Sequence, residues 1–189
     1  MRTMNSPMTE KDVMELRAGD VVYLSGTIIT GRDRMHMRAL SVKKAPKVLN
    51  GATLFHCGPI MVRNGNEWKA IAAGPTTSAR MNSMEAEMIK KYGIRAVIGK
   101  GGMSDDILDA MKQYGCVYLA AVGGAAVTLA EGLNKVIGVE WEDLGMAEAL
   151  WVFEADRFGP LVVAMDAHGK SIYKDVTSKV NETIRKHHS

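Results

Sequence analysis

The alternation of apolar and polar positions divides the chain into a β-rich first half and an alternating α/β second half. Residues 21–30 are rich in β-branched and aromatic side chains, which predicts a strand with a glycine bulge. Shorter strands are predicted at 53–57, 60–62 and 68–73, between Gly-Pro and Asn-Gly turns. Residues 1–12 are polar and contain scattered methionines, so we expect a flexible or partner-bound arm.

The second half alternates helical and strand-like periodicity. Helices are predicted over 84–92, from Ser104 or Asp105 to 114, over 125–133 and over 175–186, and strands over 96–98, 117–122, 136–141, 150–154 and 161–165. Asn82 and Glu85 have the spacing of a capping box for the first of these helices. Such alternation is typical of parallel βαβ units. The sequence therefore predicts an α/β fold with a mixed sheet, in a single domain over residues 1–189.

Composition narrows the class of protein. Hydrophobic residues make up 47% and charged residues 24% of the 189 residues, with a formal net charge of +3 and both signs interspersed. These values are ordinary for a globular domain and give no basic patch for nucleic acid. No apolar run approaches the length of a membrane span, and the N-terminus lacks a signal-peptide apolar region. We therefore expect a cytoplasmic protein.

The number and spacing of the cysteines argue against a disulfide-stabilised protein and against a metal-binding one. There are only two, Cys57 and Cys116, far apart and without the spacing of a metal-binding pair. We expect both to be buried, and we expect no disulfide scaffold and no metal site built by this chain alone.

Three cationic side chains follow β-type segments, each in a glycine-containing turn: Arg32, Arg80 and Lys100. Glycine allows close approach to a ligand, and ligands of α/β sheets gather beyond the carboxyl ends of the strands. Thr76 and Thr77 precede Arg80 and offer hydroxyl and backbone donors at a helix start. The shared setting favours a site for a small polyanion, such as a dicarboxylate held at both ends.

Taken singly, each of these cations is more typical of a solvated surface charge. The Gly-Lys-Gly-Gly turn at 99–102 also lacks the full pattern of a phosphate loop. From the residues alone, three hypotheses stay open: an enzyme site, a non-catalytic module that binds a small anion or phosphate, and a structural interaction partner.

Five motifs in order carry a resemblance to a known family. They are Leu-Ser-Gly-Thr-Ile-Ile-Thr-Gly-Arg-Asp at 24–33 with His36, His-Cys-Gly-Pro at 56–59, Gly-Pro-Thr-Thr-Ser-Ala-Arg-Met at 74–81, Ile-Gly-Lys-Gly-Gly at 98–102, and Asp-Leu-Gly-Met at 143–146 with Glu-Ala-Leu-Trp at 148–151. Together they resemble the β subunit, or C-terminal domain, of class I fumarases and L(+)-tartrate dehydratases. Lys100 to Asp105 also fits a KGxxxD signature of that family.

The resemblance implies a swivelling β/β/α domain that is half of a hydro-lyase. It implies an α subunit as partner, which would carry a [4Fe–4S] cluster on three cysteines, in an α2β2 assembly; the chain alone would be a homodimer. The substrate would be a small dicarboxylate, either fumarate hydrated to malate or tartrate dehydrated.

The resemblance also implies roles for individual residues. Arg32, Arg80 and Lys100 would bind the substrate carboxylates together with Thr77, and Arg80 and Lys100 would also stabilise charge during catalysis. Thr76 stands where the family has a threonine proposed as the proton carrier, a role that needs cations to lower its pKa. Asp33, His36 and Asp105 would support these groups, Asp105 by fixing Lys100, although His36 and His56 also fit ordinary structural histidines.

Overall fold

The structure, a computed structural model, describes residues 2–65, 67–121 and 126–176. Nine strands and five α-helices are assigned within these ranges. The strands are β1 (Arg2–Ser6), β2 (Val21–Gly31), β3 (Thr53–His56), β4 (Ile60–Asn64), β5 (Glu67–Ala72), β6 (Ala96–Gly99), β7 (Val117–Ala121), β8 (Leu133–Glu140) and β9 (Leu150–Met165). The helices are α1 (Glu10–Glu15), α2 (Asp33–Ser41), α3 (Asn82–Tyr92), α4 (Asp105–Tyr114) and α5 (Ala126–Glu131). Short 3-10 turns occur at Lys47–Leu49, Ser78–Met81 and Glu142–Leu144.

The main sheet has the strand order β1-β2-β3-β6-β7-β9-β8, and β2 also pairs with β9. Strands β1, β2, β3, β6 and β7 run parallel to their neighbours, whereas β9 is antiparallel to β2, β7 and β8. The β2–β9 pairing closes β2, β3, β6, β7 and β9 into a ring. Strands β4 and β5 form a separate antiparallel hairpin. The predicted α/β class and mixed sheet with parallel strands are confirmed, while the swivelling arrangement stays a prediction.

Side chains of the ring strands alternate between two hydrophobic clusters. On β7, Val117 and Leu119 belong to the first cluster, with Phe153 and Phe158 of β9, and Tyr118 belongs to the second. The second cluster also receives apolar residues of α2, α3 and α4. Because successive strand residues point to opposite faces, the ring is packed on both sides, which explains its short uninterrupted apolar runs.

The N-terminal residues, predicted as a flexible or partner-bound arm, have regular secondary structure. Arg2–Ser6 form β1, paired with residues 22–26 of β2, and Thr9 caps α1 through a capping box with Asp12. The polar sequence concealed this because β1 buries only Met4 and Ser6. With one apolar residue among five, the segment shows no apolar–polar alternation that would signal a strand.

Two other predictions need correction. Strands 150–154 and 161–165 are one strand, β9, which passes through the Gly-Pro pair with positive φ at Arg157 and Gly159 and shifts in its register to β2. Asn82 is the first residue of α3 and makes no cap, since the N-cap is Met81. Glu85, the other half of the expected capping box, is fully buried instead.

Other local predictions are confirmed. Gly26 lies at a register shift of β2 with φ of 115°, as expected for the glycine bulge. Gly93 and Gly115 end α3 and α4 in the left-handed conformation. The predicted helix over 175–186 lies largely outside the described residues. Residues 122–125, where the predicted strand over 117–122 meets the predicted helix over 125–133, lie wholly outside them. Within the described ranges, no helix has the length and apolarity that crossing a bilayer requires.

Candidate functional site

The predicted site segments meet at one edge of the sheet. Parallel strands β2, β3 and β6 are neighbours, so their carboxyl ends lie side by side. Arg32 directly follows β2, and Lys100 directly follows β6. The sequence expectation that these turns would share an edge therefore agrees with the sheet order.

The Gly-Pro-Thr-Thr-Ser segment is held between the ends of β3 and β6 by backbone hydrogen bonds. The Thr76 amide donates to the His56 carbonyl at 2.7 Å, and the Lys100 amide donates to the Thr76 carbonyl at 3.4 Å. The Ser78 amide donates to the Lys100 carbonyl at 3.1 Å. Thr77 and Lys100 accordingly form a parallel bridge. Thr76 is partly exposed and Thr77 is exposed.

Arg80 and Arg32 each face a carboxylate of this chain. Arg80 Nη2 lies 2.8 Å from Asp33 Oδ2, which ties the Thr-Thr-Ser segment to the start of α2. Arg32 Nε lies 3.3 Å from Glu148 Oε1, within ion-pair distance but without the alignment of a hydrogen bond. A guanidinium has five N–H donors, so each arginine keeps donors for a ligand.

Lys100 is an exposed cation. Its side chain makes no hydrogen bond or ion pair with any residue in the described ranges. The Arg80 side chain is also 50% exposed. The three cations thus lie along an open edge that a second surface would have to cover to form a closed site.

Asp105 takes a different position from the one expected. It is the first residue of α4 and pairs with Lys174 at 2.9 Å, so it does not fix Lys100. An acidic residue in the first turn of a helix is favourable on its own account. The KGxxxD spacing placed Asp105 near Lys100 in sequence, but it could not show which cation the carboxylate would meet.

Below the edge lies a fully buried polar network. The Nε2 atoms of His36 and His56 lie 2.9 and 3.0 Å from the same oxygen of Glu85, Oε2. His36 Nδ1 lies 2.7 Å from the carbonyl of Arg32, and His56 Nδ1 lies 2.8 Å from Ser78 Oγ. All three charged or titratable members have 0% exposure.

Hydrogen-bond chemistry fixes the protons of this network. A carbonyl only accepts, so His36 donates from Nδ1 to Arg32, and its contact with the Glu85 carboxylate makes Nε2 a second donor. His36 is therefore an imidazolium. Burial disfavours that charge, but the Glu85 carboxylate outweighs burial and raises the pKa of His36. The same two histidines counter the effect of burial on Glu85 and hold its pKa well below the usual range.

His56 is the neutral histidine of the pair. Its Nε2 donates to Glu85, and its Nδ1 accepts from Ser78 Oγ, which in turn accepts from the Tyr118 hydroxyl at 3.0 Å. Burial lowers the pKa of His56, which agrees with a neutral ring. Every described polar atom of the network has a partner except Glu85 Oε1.

The ligand atoms of His36, His56 and Glu85 lie within 4.8 Å of one another, a grouping that metals also use. Both Nε2 atoms, however, point at one carboxylate oxygen at ordinary hydrogen-bond distance, and the protons balance without a metal. The two cysteines are free and buried on different hydrophobic clusters, and burial raises the pKa of both thiols. The residues of this chain therefore do not fit an iron–sulfur cluster, which takes thiolates as ligands.

Sequence reasoning missed Glu85 and Glu148. Glu85 was assigned to a capping box because its spacing from Asn82 fits one. A signal was present, since Glu85 lies three residues before Met88 and four before Ile89 on the apolar face of α3. Glu148 lies in one of the quoted motifs, but nothing local to the sequence links it to Arg32 across 116 positions.

Taken together, the described residues form an α/β domain with cations at the carboxyl edge of its parallel strands, an arrangement with the charge that a small anion requires. The chain belongs to the family described as Fumarase C-terminus, whose sequence model matches residues 2–176.

Individual relatives agree with this membership. The chain is 47% identical over 182 residues to a protein of Methanocaldococcus jannaschii with the provisional name L(+)-tartrate dehydratase subunit beta, covering 94% of this chain and 93% of that protein. It is 39% identical over 172 residues to the L(+)-tartrate dehydratase subunit beta of Escherichia coli strain K12, covering 90% and 86%. It is 46% identical over 184 residues to a protein of Geobacillus stearothermophilus with the provisional name fumarate hydratase class I, covering 96% of this chain but 35% of that protein.

Proposed function

We propose that this chain is the β subunit of a two-subunit hydro-lyase that hydrates fumarate to malate or dehydrates tartrate. Its similarity to two beta subunits over nearly their whole length carries this proposal. The match to about a third of a longer fumarate hydratase supports a division of the enzyme, in which a separate chain supplies the remainder. The open edge of cations supports it too, because a closed site needs a second surface.

In this proposal the edge binds the carboxylates of a small diacid. Removal of a proton next to a carboxylate spreads negative charge onto that group, which preorganised cations stabilise. Lys100 has no ion-pair partner among the described residues and can take this role, and Arg80 and Arg32 add planar donor sets that suit carboxylates. Asp33 and Glu148 hold the two guanidinium groups in place until the substrate arrives.

Thr76 is the proposed proton carrier, and Thr77 a proposed substrate contact. A threonine hydroxyl is a weak base, so this role depends on nearby positive charge. The Thr76 carbonyl accepts the backbone amide of Lys100, and Arg80 follows four residues later, which supports a cationic setting for Thr76. His36 and Asp33 support the site from below and beside it.

We assign the [4Fe–4S] cluster to the α subunit, because the two buried cysteines here cannot supply its thiolates. There the cluster would act as a Lewis acid on the substrate hydroxyl. The assembly we propose is α2β2.

The test is reconstitution of this chain with the cluster-bearing chain from the same organism, without oxygen. We expect the pair to convert fumarate or L(+)-tartrate, each subunit alone to be inactive, and a panel of related diacids to identify the preferred substrate. A cluster-loaded pair that converts none of them would contradict the proposal. Binding of inorganic phosphate by the chain alone in calorimetry, with no activity in the pair, would favour a non-catalytic anion-binding module instead.

A further inference from the structure

The buried network is connected to the candidate edge at three points. His36, on α2, donates from Nδ1 to the backbone carbonyl of Arg32. His56, at the end of β3, accepts the backbone amide of Thr76 on its carbonyl at 2.7 Å. Two of the three site segments are therefore hydrogen-bonded directly to the two histidines.

The third segment is reached through Ser78. Its hydroxyl donates to His56 Nδ1, and its amide donates to the carbonyl of Lys100 at 3.1 Å. A Cβ at Gly99 would overlap Ser78 Oγ, so the β6 backbone approaches this hydroxyl as closely as a residue without a side chain allows. The position of Lys100 is thus also linked to the network.

We propose that Glu85 is the positioning residue of the site, fixing the three cation-bearing segments relative to one another through His36 and His56. This inference rests on the proposed function for its catalytic consequence, but not for the network itself. One carboxylate oxygen accepts from both imidazoles, so it sets the distance and angle between α2 and the end of β3.

The chemistry of the network favours positioning over stability alone. Burying a carboxylate and an imidazolium is costly, and apolar residues of similar volume are often as stable or more so. Charge-assisted hydrogen bonds instead provide direction and short distances. Misplacement of a binding group by about 1 Å can cost about 100-fold in rate, so an anchor with fixed geometry has a functional value.

Other ionisable groups near the network are few in the described part of the chain. Asp33 adds negative potential at both histidines, and Cys116 and Tyr118 lie near Glu85 without ionising, because burial raises the pKa of each. The imidazolium therefore depends mainly on Glu85, which makes substitution of this one residue informative.

The first arm of the test uses this chain alone. In a uniformly 15N-labelled sample, NMR should show His36 protonated on both nitrogens and His56 protonated on Nε2 only. In Glu85→Gln the His36 signal should change to a neutral ring, and the amide signals of Thr76 and Lys100 should shift. Glu87→Gln is the matched control, since Glu87 is an exposed residue of the same helix. A neutral His36 in the unsubstituted chain, or a stoichiometric metal on the three side chains, would overturn the proposal.

The second arm uses the reconstituted pair. Glu85→Gln should lower kcat about 100-fold, with a smaller rise in KM, because the charge that develops during the reaction depends more on exact placement than the bound carboxylate does. Glu87→Gln should leave both values unchanged. An unchanged kcat in folded Glu85→Gln would show a purely structural role and overturn the inference.

Glu85→Asp covers the case in which the glutamine variant does not fold. It keeps the charge but withdraws the carboxylate by one methylene. A folded Glu85→Asp pair with reduced kcat supports positioning, and one with full kcat overturns it. If the unsubstituted pair has no activity at all, the proposed function fails, while the NMR arm still decides whether the network exists.

Discussion

At the scale of residues, the three candidate cations are not equivalent. Arg32 and Arg80 each have a carboxylate partner within the chain, whereas Lys100 has none among the described residues. The glycine-containing turns in the sequence made all three candidates, but they gave no order of importance among the three. Ion-pair partners such as Asp33 and Glu148 depend on tertiary geometry, and only Asp33 is near in sequence to a predicted cation.

Lys100→Met in the reconstituted pair should lower kcat/KM about 100-fold, which is the typical loss when one preorganised donor to a developing anion is removed. Steady-state kinetics with the preferred diacid measures this. Lys90→Met is the control, because Lys90 is an exposed lysine on α3 and its substitution should leave kcat/KM unchanged. Equal activity of the two variants would remove Lys100 from the site.

The buried network also predicts how stability depends on pH. Burial disfavours the charge on His36, but Glu85 raises the pKa of His36 above its usual 6.5. The folded chain therefore holds a proton that the unfolded chain releases, and stability falls as the pH rises from 6.5 through the folded pKa of His36.

The loss of stability at acidic pH follows from the pKa shifts of His56 and Glu85. Burial lowers the pKa of His56, so unfolding lets it take up a proton and stability falls below about pH 6.5. Burial opposes ionisation of Glu85, but His56 and His36 hold its pKa at about 2, so stability falls further between pH 4.5 and 2. Urea denaturation across pH should show both declines. Glu85→Gln should lose the alkaline decline, and an identical profile for that variant would contradict the assignment.

At the scale of elements, the sequence predicted most helices and ring strands because their apolar periodicity is regular. The prediction failed for strands that exist only because neighbouring strands pair with them. β1 has five mostly polar residues and is a strand because the edge of β2 pairs with it. β9 continues through Gly159-Pro160 because β2, β7 and β8 pair along it on both sides of the break. Pairing of this kind is a tertiary property that local propensity does not report.

A substitution at Gly99 can test how closely the β6 backbone approaches Ser78 in the buried network. A Cβ there would overlap Ser78 Oγ and lie 3.0 Å from the Tyr118 hydroxyl. Gly99→Ala should therefore lower the free energy of unfolding by about 1–3 kcal/mol. Gly138→Ala in β8 is the control, since its Cβ would meet Val152 at an ordinary 3.6 Å. Urea denaturation compares the two, and equal stabilities would show that the approach is looser than described.

At the scale of the whole molecule, the closed ring of strands brings distant turns to one edge. The periodicity predicted parallel units, and parallel neighbours share their carboxyl ends, so the convergence of the site segments could be predicted. The network beneath them could not, because residues 36, 56 and 85 belong to three elements whose contact depends on the strand order. Glu85 in particular fits a helix cap as well as a core position until the packing is known.

The chain alone should not assemble an iron–sulfur cluster. Its two free cysteines are buried on different hydrophobic clusters, and a cluster needs more thiolates than they offer. Treatment with iron and sulfide without oxygen should give no cluster absorbance on this chain and a stable one on the proposed α subunit. A stoichiometric cluster on this chain alone would contradict the proposed division between subunits.

A crystal structure of the reconstituted pair with a bound dicarboxylate inhibitor would show directly whether the substrate binds at the candidate edge. We predict that the diacid lies at the edge formed by the ends of β2, β3 and β6, with its carboxylates in ion-pair contact with Arg80 and Lys100 and with Thr76 beside it. A diacid bound wholly within the partner, with Arg80 and Lys100 facing solvent, would contradict it.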